Sequence, residues 1–465
     1  MVHNSLPRRE FTSTLASMGD HGVLNARFPK ERCGIWPDRD LSWRDFNEPV
    51  LAEALEEPTR LRERAKFLAI GNLNLEEFFM KRVAVFRQGK SEERRALFRQ
   101  LRISRPHRAR PASALIVGLM LLSVAAVYSA AQNVAETGST LIYPAFQAWA
   151  GAYAKIDPAV HMTVNATGSE AGINSAIAGQ VQIGTSDAYM TDTQAMANPS
   201  ILNIPLAISA QLVVANLPEQ PGSTLKLSGP VLADIYSGKI REWDAAPIAA
   251  LNGGIRLPHR TIVPVHRADG SGDTFVFTQF LTFSTPEVNG VAPPGSWENT
   301  VYYGTTVHWP AVPGSLTAYS NKEMSQKLAS TPWSVGYLGA SFEADANQAG
   351  LETAMLQNED GNFVLPTAAT ITAAAASLTP RTPPDERLTL VFAPGANSYP
   401  LINYEYAMVS QKQPYAQVAA AISNFLLWCI SPQGGSAASF LDPVHFIALP
   451  TSIRARSEIQ IAKIQ

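Results

Sequence analysis

The sequence predicts an α/β fold for its C-terminal two-thirds, preceded by a membrane helix and a small all-α N-terminal segment. Three observations carry this reading. Beyond Gln132, short strand-like runs alternate with helical stretches through polar turns. Residues 112–131 form an apolar run without a charge, and residues 40–88 repeat apolar side chains at helical spacing. Strand, turn and helix in repetition imply layered α/β structure with a mostly parallel sheet.

The N-terminal elements come first. Residues 1–35 show no clear period and are expected to be disordered. Residues 36–100 form the helical segment. In "DLSWRDFNEPVLAEALEEPTRLRERAKFLAIGNLNLEEFFMKRVAVFRQ" (40–88), Asp40 or Ser42 could cap a first helix and Pro58 separates it from a second. Leu61, Ala65 and Leu68 recur at helical spacing, and Leu75, Phe79 and Val83 continue the stripe.

Charge changes sharply after this segment. Residues 1–110 hold 22 Lys and Arg against 15 Asp and Glu, whereas the remainder holds 15 against 24. The whole chain nets only −2, so the two regions are suited to different surroundings and no nucleic-acid partner is expected. "RISRPHRARP" (102–111) is followed by "ASALIVGLMLLSVAAVYSAAQ" (112–132). About twenty uncharged residues are enough for a membrane helix, and the basic flank places the N-terminus in the cytoplasm and the C-terminal part outside. Ser129 and Ala131 have the spacing of a signal-cleavage site after Ala131. A cleaved leader and a retained anchor both remain open. Cys33 and Cys429 fall on opposite sides of this segment and should be free thiols, Cys429 on the packed face of the helix "AISNFLLWCISPQ". No cysteine ends the apolar run, which excludes a lipid anchor there.

In the exported part, "HMTVNAT" (161–167), "VQIGTSDA" (181–188) and "TIVPVHR" (261–267) read as strands. "GSEAGINSAIAGQ" and the apolar run after "RADGSGD" read as helices. Ligands of such sheets bind beyond the carboxyl ends of the strands. Four of the turns there share one chemistry. "ETGSTLIYPAF" offers Ser139, Thr140 and backbone N–H groups, "ATGSEAG" offers Ser169, "GTSDA" presents Asp187, and "HRADGSGDT" presents Arg267, Ser271, Gly272 and Asp273. Ser and Gly at a helix start are usually caps. Four such turns with a single arginine among them point to an oxyanion site. Tyr236 and Trp243 in "ADIYSGKIREWD" read as core. "TAATITAAAASLTPRTPPDERL" (367–388) reads as an Ala-rich helix with a Pro-rich linker approaching a hinge. The eight histidines are scattered without metal-ligand spacing, so neither metal nor cofactor is expected.

From Glu136 to its end the chain resembles the high-affinity phosphate-binding receptor of bacterial ABC phosphate importers. The resemblance rests on "ETGSTLIYPAF", "TGSEAGINSAIAGQVQIGTSDAYM", "ADIYSGKIREWD", "HRADGSGDTFVFTQFL", "YGTTVHWPAVPG", "YPLINYEYAMV" and "FLDPVHFIALP". It implies the two-lobed, hinged clamp of periplasmic binding proteins, with residues 136–207 and 396–465 in one lobe and 208–395 in the other. It also implies that Thr140, Leu141, Ser169, Asp187, Arg267, Ser271, Gly272 and Asp273 surround one inorganic phosphate, supported by Ser139 and by Asp269 beside Arg267. The implied partners are the permease and ATPase subunits of an importer, and the implied role is binding rather than catalysis. In this family Asp187 corresponds to the acceptor of the phosphate proton. Phosphate near neutral pH keeps one or two protons and sulfate none, so a buried carboxylate accepts from the first and repels the second. Asp273 stands where many relatives have Thr; it could accept a second proton or cap its own helix. Glu170 stands where relatives usually have Gly or Ser, and is expected to point to solvent in the first turn of its helix.

The N-terminal segment resembles the N-terminal helical domain of bacterial polyphosphate kinase, through Leu41 to Leu51 and Phe67 to Val83. Asn74 matches a residue near the nucleotide in that family. The catalytic domains and the phosphorylated histidine in its context are missing, so the segment reads as a remnant, a gene-model artefact or a docking module. Competing readings are polyphosphate synthesis at the membrane with the exported part as sensor, and a receptor for another tetrahedral oxyanion such as sulfate or molybdate.

Overall fold

The computed structural model describes residues 132–218 and 225–465. The expectations for residues 1–35, 36–100 and 112–131, with Cys33, Asn74 and cleavage after Ala131, lie outside the described residues. Among the described residues no helix is long and apolar enough to cross a membrane.

One large mixed sheet organises the chain. It begins with β1 (Gln132–Gly138), β2 (Val160–Ala166) and β3 (Ile183–Ser186), where β1 pairs in parallel with both neighbours. Helix α1 (Tyr143–Ile156) links β1 to β2 and buries Ala145, Phe146, Trp149 and Tyr153, the spacing of a single apolar face. Helix α2 (Ser169–Ile177) links β2 to β3 and lies unusually close to the sheet. A Cβ on Gly172 would fall 2.3 Å from the carbonyl oxygen of Thr185, so only glycine lets the two backbones meet.

Strand β4 (Ile201–Ala215) is fifteen residues long and almost entirely buried. Its sequence, ILNIPLAISAQLVVA, has the near-continuous apolar character of a strand covered on both faces. Beyond it come β5 (Lys226–Leu227), α3 (Gly229–Tyr236), β6 (Val263–Arg267), α4 (Gly272–Phe283), β7 (Leu316–Ala318), α5 (Asn321–Ser330) and β8 (Ser334–Gly339). The chain then forms β9 (Glu352–Thr353), β10 (Met355–Gln357), β11 (Phe363–Val364) and α6 (Ala368–Leu378). It closes with β12 (Ile402–Ser410), α7 (Ala416–Cys429) and α8 (Thr451–Ile461).

The main sheet runs β2-β1-β3-β12-β4-β8-β6-β7, with β9 also on β4; β11, β10 and β5 form a separate small sheet. The expectation of a mostly parallel sheet needs correction. Parallel sets β2-β1-β3 and β8-β6-β7 flank a central antiparallel pair, β12 and β4. β4 pairs with β12 through Ile201–Ala210 and with β8 through Gln211–Ala215. It leaves the first half of the sheet and β12 returns to it, and two crossings in opposite senses pair antiparallel.

The predicted core elements fall into place. Tyr236 and Trp243 are buried; Tyr236 packs on Phe277 at 5.0 Å and donates to the carbonyl of Val265. Cys429 is a buried free thiol, on a helix whose Phe425 ring packs on Phe146 and Tyr153. The Ala-rich helix is α6, but the Pro-rich stretch after it is no loose linker. Thr382 and Glu386 are buried, and Tyr406 donates its hydroxyl to the carbonyl of Glu386.

Candidate anion-binding site

The carboxyl ends of β1, β2, β3, β6 and β7 all feed one place. The turn after β1 brings Ser139, Thr140 and Leu141; α2 starts at Ser169; Asp187 follows β3; Arg267 ends β6; and α4 starts at Gly272 behind Ser271. The two parallel sets therefore contribute turns from opposite sides, and Ser139, Thr140, Ser169, Asp187, Arg267, Ser271 and Asp273 are all buried.

Asp187 stands at the centre. Ser139 Oγ donates to its Oδ1, Ser169 Oγ donates to its Oδ2 at 3.2 Å, and its own amide donates back to Ser169 Oγ at 3.2 Å. Gly272 closes the opposite side: a Cβ there would lie 2.4 Å from Asp187 Oδ2 and 2.5 Å from Ser169 Oγ. The turn after β1 is tightened by Ser139 Oγ, which accepts from the amide of Leu141 at 3.0 Å. The Leu141 side chain packs on the backbone at Gly339.

Each of the three guanidinium nitrogens of Arg267 donates to a carboxylate. Nε donates to Asp269 Oδ1 at 2.6 Å, Nη2 to Asp269 Oδ2, and Nη1 to Asp273 Oδ2 at 2.6 Å. Burial disfavours its charge, but Asp269 and Asp273 outweigh that and raise its pKa above the ordinary value. Asp269 thus holds Arg267 in a two-point grip, the geometry that carboxylates and guanidinium favour.

Asp273 does not cap its helix. Ser271 is the cap, accepting from the Thr274 amide at 3.3 Å. Asp273 instead accepts from Arg267, from Asn321 Nδ2 at 2.8 Å and from Gln211 Nε2 at 3.3 Å. Burial, then the nearby Asp187, push its carboxyl up to about 7. Burial, then Glu405, hold the Asp187 carboxyl well above the carboxylate range.

Glu170 departs from expectation. Its side chain is not in open solvent: Oε2 accepts from Thr305 at 3.0 Å and Thr306 at 2.9 Å. The Gly270 backbone packs directly on this side chain: a Cβ on Gly270 would meet Glu170 at 2.4 Å. Its amide, at the start of α2, donates to the carbonyl of Gly270.

Three residues in the site escaped the sequence reading. Asn321, first in α5, bridges Thr140 Oγ1 at 2.9 Å and Asp273 at 2.8 Å, and its own Oδ1 accepts from the Gly339 amide. Gln211 comes from β4, and Glu405 from β12. The available signal for the last was a lone carboxylate inside the apolar strand "INYEYAMV", a costly position without a partner.

The family model described as a PBP superfamily domain matches residues 123–433. Phosphate-binding protein PstS of Pasteurella multocida is 32% identical over 341 residues, which are 73% of this chain and 93% of that protein. The chain belongs to the PBP superfamily and, within it, to the PstS family. A second PstS, from Methanocaldococcus jannaschii, is 31% identical over 335 residues, covering 68% of this chain and 82% of the relative. Among solved structures, a phosphate-binding protein from Stenotrophomonas maltophilia matches with a TM-score of 0.53 at 20% identity, over 71% of this chain and 94% of that one. A high-affinity periplasmic phosphate-binding protein, PfluDING, bound with phosphate, matches with a TM-score of 0.54 at 20% identity, over 70% and 92%. These establish the periplasmic-binding-protein fold. The PstS family supplies substrate-binding proteins, not enzymes. A second family model, the polyphosphate kinase N-terminal domain, matches residues 36–107, ahead of the PstS part.

Proposed function

We propose that residues 132–465 capture inorganic phosphate outside the cytoplasm and deliver it to the permease and ATPase subunits of an ABC-type importer. The observation that carries this reading is the convergence of Ser169, Asp187 and Gly272 from three different turns, with Gly272 leaving no room for a side chain. Helices α2 and α4 begin at Ser169 and Gly272, both beside Asp187, and helix starts carry the positive dipole end. Arg267 supplies formal positive charge, held in place by Asp269. Thr140, Leu141, Ser271 and Asp273 complete the proposed ligand set, with Asp187 accepting a P–OH proton. An unmatched buried polar group costs about 1–3 kcal/mol, and more when charged. On this reading sulfate, which brings no proton, is rejected by Asp187.

In this reading residues 136–207 with 396–465, and residues 208–395, act as lobes of a clamp that hinges where β4 and β12 cross. Residues 112–131 serve as export signal or anchor. The segment at 36–107 is a remnant of, or a docking element for, polyphosphate machinery.

Calorimetric titration of the ligand-stripped full chain with phosphate and then sulfate tests the proposal. Micromolar or tighter phosphate binding without a sulfate response is expected. No phosphate response overturns the function, and equal binding of both anions overturns the role of Asp187. Nucleotide-dependent polyphosphate formation by the same preparation would establish the competing kinase reading.

A further inference from the structure

The turn before α2 and the turn before α4 meet beside the anion site. The Glu170 amide donates to the Gly270 carbonyl at 3.0 Å, and a Cβ on Gly168 would lie 3.0 Å from both that carbonyl and Asp269 Oδ2. The Glu170 side chain then reaches a third segment, where its Oε2 accepts from Thr305 Oγ1 at 3.0 Å and Thr306 Oγ1 at 2.9 Å. Ser169 and Ser271 are buried, whereas Glu170 and Thr305 are half-buried and Thr306 is exposed. The carboxylate therefore sits between the buried anion site and solvent, outside the proposed ligand set.

The segment 304–306 is not free to follow Glu170 when the turns separate. The Ser271 amide donates to the Thr305 carbonyl at 2.9 Å, and the Gly304 amide to Thr278 Oγ1 at 3.3 Å, which fastens the segment to α4. Glu170 belongs to the part 136–207 and its partners to the part 208–395. Any hinge motion that parts α2 from α4 must break both hydroxyl bonds. Hydrogen bonds to a carboxylate are stronger than those between neutral groups. Another link across the same boundary, Asn321 Nδ2 to Thr140 Oγ1 at 2.9 Å, uses a proposed ligand residue; the Glu170 link does not. The same carboxylate also repels an approaching anion, an effect of its charge, whereas holding two threonines needs only an acceptor.

We infer that Glu170 is a positioning residue that latches the clamp: it ties the start of α2 to Thr305 and Thr306 and so sets how long captured phosphate stays bound. The inference rests on the phosphate and clamp readings above. The two bonds exist when α2 and α4 meet and are lost when they part. They therefore slow opening of the loaded clamp and leave capture by the open form nearly unchanged.

Rapid mixing of the full chain with radiolabelled phosphate, followed by a chase with excess unlabelled phosphate, reads association and release separately. Glu170→Ala should speed release about tenfold and change association by less than about twofold. Glu170→Gln should release at nearly the wild-type rate, because its carbonyl oxygen still accepts from both threonines. Thr305→Val with Thr306→Val keeps the charge and should speed release as Glu170→Ala does. Combining all three substitutions should speed it no further, since one interaction cannot be lost twice. Unchanged release from Glu170→Ala overturns the inference. Equal changes in Glu170→Ala and Glu170→Gln also overturn it, by assigning the effect to charge, as does an additive effect of the combined variant. If Glu170→Ala fails to fold, the threonine variant decides, and wild-type release from it overturns the inference. No phosphate binding by the wild type overturns the phosphate reading itself, an outcome distinct from binding with unaltered release.

Discussion

Gly272 and Asp187 approach so closely that a methyl group on the glycine would lie 2.4 Å from a carboxylate oxygen. They come from α4 and from the end of β3, in the two separate parallel sets of the sheet, so the contact measures how tightly those sets meet. Gly272→Ala should therefore weaken phosphate binding by about 100-fold, or ~3 kcal/mol, by holding the turns apart. Titration calorimetry reads this directly. A drop of less than about threefold would mean that the turns need not meet for binding.

Asp187→Asn exchanges an acceptor for a side chain that also donates. Phosphate affinity should fall by about 10- to 100-fold, corresponding to roughly 1–3 kcal/mol for a mismatched buried hydrogen bond. Sulfate binding should become measurable. Competition between the two anions on the variant gives the ratio, and an unchanged preference for phosphate would assign the discrimination elsewhere.

Arg267→Ala leaves Asp269 and Asp273 without their buried cation. Breaking a buried pair from one side typically costs about 3–5 kcal/mol. Thermal unfolding without phosphate should show a clear loss of Tm, in addition to lost binding. Arg267→Lys should restore only part of both, because a single ammonium cannot reproduce the two-point grip on Asp269.

Stability of the ligand-free protein should fall as pH rises. Burial pushes Glu136 up to about 8, although the Thr185 hydroxyl and the Asn165 amide donate to it. The folded state then binds this proton more tightly than the unfolded chain, where the group titrates near 4.5. The stability it contributes is complete below that value and is lost as pH rises through about 8. Glu136→Gln, with its carbonyl turned to the Asn165 amide, mimics the protonated form. Its Tm should exceed that of the wild type at pH 8.5, and the gap should close toward pH 5. A gap independent of pH would place the effect in packing rather than in the proton.

Local rules made much of the site legible. Ser139, Ser169, Ser271 and Gly272 announce themselves because a short polar turn before an apolar helix is a short-range signal, complete within a few residues. The same holds for β2, β3, β6 and α2, whose alternation or periodicity lies in the segment itself. Glu170 was misplaced for the corresponding reason: a helix-start carboxylate ordinarily faces water, and nothing local reveals that Thr305 and Thr306 lie across from it.

The sequence carries the strands at β2, β3 and β6 with the turns beside them, the oxyanion chemistry of four turns, and the family resemblance. That β4 and β12 cross antiparallel between two parallel sets emerges only when the sheet assembles. Only there does Asp273 serve Arg267 rather than its helix, and only there do Asn321 and Gln211 meet Asp273 and does Asn403 link Glu405 to Asp187. Glu405 and Asp187 are separated by more than two hundred residues, and the Asn403 amide that reaches both does so because β12 lies beside β3. Capping and periodicity act over a few residues, whereas the burial that gathers carboxyl groups from distant strands, and raises their pKa, exists only once those strands have paired.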